Sequence, residues 1–103
     1  MPDARSVDLV PTDLPAGLEH VRTTDVFDGD TVPPGLLRRH RVAEGTWGRV
    51  VVHGGTLRLV FEDDGELVEL SAGDTAVVPP GRPHHVELGV GGRFAVEFHR
   101  RAG

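Results

Sequence analysis

The chain alternates short apolar runs with clusters of turn formers, and no window sustains a 3.6-residue apolar period through two turns. HVRTTDVF (20–27) predicts a strand. DGDTVPPG (28–35) predicts a turn region, with Pro33-Pro34 excluding a helix. LLRRHRV (36–42) predicts a second strand and AEG (43–45) a turn. TWGRVVVH (46–53) and TLRLVFE (56–62) predict a hairpin, because Gly54-Gly55 between them suits a tight primed turn. ELVEL (66–70), TAVVP (75–79), HHVEL (84–88) and RFAVEFHR (93–100) predict four more strands. Between them stand SAGD, PGRP and GVGG, all rich in turn residues.

Seven or eight short strands at nearly even spacing predict an all-β sandwich or barrel. Residues 1–18 are polar and carry Pro2, Pro11 and Pro15, so they read as an arm ahead of one domain at 19–101. Alternation assigns faces. Phe94, Val96 and Phe98 share one face of the last strand, and Ala95, Glu97 and His99 share the other. Gly48, Val50 and Val52 fall with Leu57, Leu59 and Phe61 on one apolar face of the expected hairpin. The opposite face mixes Trp47, Arg49, Val51 and His53 with Thr56, Arg58, Val60 and Glu62.

Composition narrows the chemistry. With no cysteine, disulfides, thiolate metal sites and cysteine nucleophiles are excluded. With no lysine, Schiff-base catalysis is excluded. Ser6 and Ser71 are the only serines, and no serine triad is credible. The net charge of −5 resides wholly in residues 1–30, and the remainder is balanced, which argues against a nucleic-acid surface. The one basic cluster is Arg38, Arg39 and Arg41, either a solvated strand face or an anion site at a pocket mouth. No apolar stretch is long enough to span a membrane and no secretory signal is legible, so the expected location is cytoplasmic.

Residues 73–84, GDTAVVPPGRPH, place a proline, a glycine and a histidine after Gly73 at the offsets of the second cupin motif. On that motif the chain resembles the cupins, which implies a double-stranded β-helix, a jelly-roll barrel, with His84 delivered to its mouth. The first cupin motif is partial. His40 matches its first histidine and Gly54 its closing glycine, but Val42 stands at the second histidine and Trp47 at the glutamate. Leu88 replaces the residue that usually closes the second motif. From about Leu14 to Arg100 the chain is also similar to a narrower group. This is a cupin-like domain found alone in bacteria and fused ahead of the methyltransferase in some tellurite-resistance proteins of the B type. The stretches LPAGLEHVRTTDVF, RPHHVEL and RFAVEFHR carry this likeness, with residues 31–59 between them. Methyltransferase chemistry is not implied, since no glycine-rich nucleotide loop is present.

The cupin resemblance implies a divalent transition metal (Fe, Ni, Mn or Zn) on His40 and His84, with His85 the nearest third ligand. His84 and His85 face opposite ways on a regular strand, so both would ligate only through irregular backbone. Glu97 and Glu44 are the candidate catalytic or ligating carboxylates. Trp47 is a candidate pocket wall, and Arg49 a candidate anchor for an anionic group. Three readings follow. One is a metal-dependent enzyme on a small molecule. Another is a non-catalytic small-ligand or oxyanion sensor of tellurite-resistance or stress type. The third is a structural scaffold. The expected ligand is a small molecule or anion in the barrel pocket. Two covered faces on one hairpin point to a homodimer.

Overall fold

The structure, a computed structural model, describes residues 14–37 and 41–101. Alternating apolar positions give most segments one face that must leave water, and seven strands form among the described residues, β1 being mostly exposed and held by its pairing with β7. They are β1 (Leu18–Thr23), β2 (Thr46–Gly54), β3 (Thr56–Phe61), β4 (Leu67–Ser71), β5 (Thr75–Val78), β6 (His84–Leu88) and β7 (Arg93–Arg101). Every pairing is antiparallel. The strands divide into a four-stranded sheet, β1-β7-β2-β5, and a three-stranded sheet, β4-β3-β6.

Neither sheet closes on itself. The jelly-roll barrel, and with it the cupin assignment, is therefore corrected to two open antiparallel sheets packed through one core. The reason lies between β2 and β3, which do not form the expected hairpin. β2 pairs with β5 and β7, whereas β3 pairs with β4 and β6. Gly54-Gly55 is a corner that carries the chain from one sheet to the other. Gly55 adopts φ +62°, and a Cβ there would stand 2.3 Å from the carbonyl carbon of Gly91. Backbone passes against backbone at that corner, and a side chain has no room.

The face assignments survive this change of topology. Val50, Val52, Phe94 and Val96 of the larger sheet are buried, as are Leu57, Leu59 and Phe61 of the smaller. They meet across the core and not along one ladder. Leu59, Phe61 and Phe94 are wholly buried, each contributing roughly 1.5–3 kcal/mol of apolar burial. Phe27 bridges to Phe94, and the two rings meet edge to face at 5.7 Å.

Residues 36–42 also differ from expectation. A 3-10 turn spans Pro34–Leu37. Pro34 does not forbid it, because a proline in a first turn lacks only an N–H that would have no partner there. Leu36 N–H closes the turn on the Pro33 carbonyl at 3.0 Å, and the Leu36 side chain packs on the core. Arg41 and Val42 lie outside any strand, with Val42 buried. His40, Arg38 and Arg39 lie outside the described residues, as does most of the expected arm. Among the described residues, no helix is long and apolar enough to cross a membrane.

Replacing Gly55 by alanine is expected to cost about 2–4 kcal/mol, combining left-handed backbone strain with an unavoidable clash. Urea denaturation measures it, and a loss below about 1 kcal/mol would contradict the corner described.

Candidate functional site

The site is built from the loop that follows β5. Gly73 and Asp74 turn the chain into β5, and Asp74 Oδ2 accepts the Ser71 N–H at 2.8 Å. Pro79–Pro83 then crosses from the larger sheet to β6 of the smaller. Backbone bonds hold this loop from both sides. Gly81 N–H donates to the Val42 carbonyl, and Glu62 N–H donates to the Pro83 carbonyl, each at 2.9 Å. Arg41 adds a side-chain bond to the Gly81 carbonyl at 2.8 Å. Arg82 stands over Phe61, its Cζ 3.8 Å from the ring centre, and reaches Asp63 and Asp64 at 2.9 and 3.0 Å. The Arg82 contact holds the Asp63 carboxyl below the ordinary carboxylate range.

This bracing positions His84, which is 4% exposed and points between the sheets. Its Nδ1 stands 3.0 Å from the Arg82 carbonyl. A carbonyl only accepts, so Nδ1 carries a hydrogen and the ring orientation is set. Beside His84 lies a cleft of about 40 Å³, enough for two or three water-sized groups. Val42, Gly48, Val50, Val86, Val96 and Phe98 supply much of its wall. Among the described residues His84 is the one ionisable side chain on that lining, and Thr24 the other polar one. The expectation of a ligand inside a barrel pocket is thereby corrected. Among the described residues neither sheet closes into a barrel, and the cleft lies between two open sheets.

The other expected site residues that lie among the described residues do not converge on it. His85 follows His84 on a regular strand and so points to the outer face of the smaller sheet. There it sits between two carboxylates, with Nδ1 2.6 Å from Glu62 Oε2 and Nε2 3.0 Å from Glu87 Oε2. Both ring nitrogens donate, the arrangement of an imidazolium. The hydrogen bond to Glu87 is the main cause of a raised His85 pKa, partial burial opposes it, and Glu62 adds to it. Arg58 extends the row, bonding Glu69 at 3.0 Å and approaching Glu87 at 4.0 Å.

Glu97, Arg49 and Trp47 lie on the outer face of the larger sheet, because Gly48, Val50, Val96 and Phe98 face inward. Glu97 accepts from His99 Nε2 at 3.0 Å and stands 3.9 Å from Arg49 Nε. Arg49 Nε is buried and finds no hydrogen-bond partner among the described residues. The His99 ring lies 5.2 Å from that of His20. Glu44 is an exposed turn residue ahead of β2. Among the described residues no three histidine, aspartate or glutamate side chains gather into a metal-binding group. The metal-binding reading finds no support among the described residues, since strand alternation sends His84 and His85 to opposite faces; His40 lies outside them. Sequence reasoning missed Arg82, whose signal was its place between Gly81 and His84 in a proline-bounded loop.

Comparison with known proteins agrees with this architecture. Residues 22–96 match the TehB-like domain, and the chain belongs to that family, not to the cupins. It is 29% identical over 83 residues to YeaR of Escherichia coli strain K12, covering 72% of this chain and 70% of YeaR. A crystal structure of a protein from Escherichia coli strain K12 superposes with a TM-score of 0.82 at 24% identity, covering 88% of this chain and 98% of that one. The crystal structure of TehB from Haemophilus influenzae superposes with a TM-score of 0.74 at 21% identity. That match covers 84% of this chain but 32% of TehB.

The His85 pair gives a pH signature. A raised folded pKa means protonated His85 stabilises the fold fully below the ordinary value near 6.5, and this is lost as pH rises through the folded value. Comparing His85→Gln with the unaltered chain in urea from about pH 6 to about pH 9 should show the variant losing less stability. The expected difference is about 1 kcal/mol or below, since the pair is partly solvated. Parallel profiles would contradict the paired geometry.

Proposed function

We propose that this TehB-like domain is a non-catalytic binding module that takes a small, apolar-bodied ligand into the cleft between its two sheets. The observation that carries this reading is the cleft itself. It is an apolar-lined space beside the buried core, with one oriented imidazole on its described wall. Dry, close-packed interiors seldom keep such space without a use. Catalysis of hydrolytic or oxygenase type needs several convergent groups. The described lining offers His84 alone as an ionisable side chain, which supports binding over turnover. A role in sensing fits a domain whose counterpart occupies about a third of TehB from Haemophilus influenzae. A cytoplasmic setting belongs to the same proposal, in keeping with a chain that has no cysteine.

The test uses 1-butanol as a neutral probe, titrated while amide and methyl NMR signals are followed. Saturable shifts centred on Val50, Val86, Val96 and His84, with a dissociation constant on the order of millimolar, are expected. Val96→Leu adds one methylene to the cleft wall. Because the space exists, its stability should stay within about 1 kcal/mol of the parent, while butanol binding weakens about fivefold or more. Shifts scattered over the surface, or none that saturate, would overturn the reading.

A further inference from the structure

The inward face of the larger sheet does not end at the cleft. Along β7, Phe94, Val96, Phe98 and Arg100 alternate onto that one face. Thr46 of β2 pairs with Arg100, and Gly48 pairs with Phe98. On β1, a register shift between His20 and Arg22 sets Arg22 opposite Phe98. These residues converge on a second hollow of about 200 Å³, walled by Val21, Arg22, Thr46, Phe98 and Arg100. Phe98 lines both this hollow and the cleft that holds His84. One aromatic ring thus separates an apolar interior from a mouth that carries two guanidinium groups.

Both arginines are available. The Arg22 guanidinium stands over the Phe98 ring, 5.0 Å from its centre, which holds it at the mouth. Among the described residues, neither Arg22 nor Arg100 makes an ion pair, although Glu19 is the cross-strand neighbour of Arg100. Three other arginines differ, whereas Arg93 and Arg101, at the two ends of β7, make no ion pair among the described residues either. Arg58 is paired with Glu69, Arg82 with Asp63 and Asp64, and Arg49 approaches Glu97. Arginine recognises carboxylates through its planar fork, and two of them beside an apolar opening suit a monoanion with a short hydrocarbon tail.

We infer that the ligand of the cleft is a short-chain carboxylate. Its tail lies past Phe98 among Val50, Val86 and Val96, and its head lies on Arg22 and Arg100. The tail is limited to about two or three carbons by the cleft volume of about 40 Å³. This inference rests on the binding reading above, and adds to it the chemical class of the ligand and the residues that select it.

The test compares butanoate, 1-butanol and acetate on the full chain by NMR titration at low salt. Butanoate is expected to bind roughly five- to tenfold more tightly than 1-butanol. Acetate should bind at least fivefold more weakly than butanoate. The double variant Arg22→Gln/Arg100→Gln changes two exposed side chains, so it should fold normally. It should bring the butanoate-to-butanol ratio to about one without altering butanol binding. High salt should shrink the same ratio in the parent chain. Equal affinity for butanoate and butanol in the parent chain would overturn the carboxylate assignment and leave the cleft reading intact. A preference that survives the double substitution would overturn the assignment to these arginines. Acetate binding as tightly as butanoate would show that the cleft takes no tail, and would overturn the inference. Failure of both four-carbon probes to bind would overturn this inference and the binding reading together.

Discussion

The close passage of Gly55 against Gly91 is the constraint on which the rest of the structure depends. Two backbones meet there at a distance that leaves no space for a Cβ. Because the chain can turn there, β2 and β3 enter different sheets and do not zip into a hairpin. Their apolar faces then oppose each other, and burial of Val50, Val52, Leu57, Leu59 and Phe61 draws the two sheets together. Each sheet remains open, so the space between them is a layer with ends and not a closed interior. The cleft beside His84 lies in that layer.

The same partition decides which polar groups can act together. Strand alternation puts His84 inside and His85 outside, each with partners suited to its side. His84 is held by a backbone carbonyl in apolar surroundings, and His85 by two carboxylates on a charged face. Arg49, Glu97 and His99 form a separate row on the far side of the larger sheet. Chemistry that needs these groups to converge is excluded by the pleat, whatever their spacing in sequence.

Much of the fold was legible because strand identity and face depend on local alternation. The segments at 46–53, 56–62, 84–88 and 93–100 fall close to β2, β3, β6 and β7, and Val50, Val52, Leu57, Leu59, Phe61, Phe94 and Val96, grouped by alternation, are buried. Pairing was not legible, because Gly54-Gly55 serves a hairpin and a sheet-to-sheet corner equally well from local sequence. The clash that separates the two comes from Gly91, thirty-six positions away. The 3-10 turn at Pro34–Leu37 was missed because proline was read as a helix breaker, when in a first turn it is permissive. The loop that delivers His84 was legible from its proline and glycine spacing. A metal set built on its resemblance was not supported, since spacing carries loop shape but not the faces of residues that follow. Arg22 and Arg100 carried no signal, because a register shift in β1 is what brings Arg22 opposite Phe98.

Membership in the TehB-like domain family places these features in a scaffold that also occurs within a longer chain in Haemophilus influenzae. The inter-sheet cleft is the central element of this scaffold, and xenon tests it directly. A crystal equilibrated under xenon pressure should show one ordered xenon among Val50, Val86, Val96 and Phe98, with the sheets unmoved, because an apolar cavity of this size accepts a single such atom. A crystal with no xenon there, and those side chains closed into contact, would contradict the account.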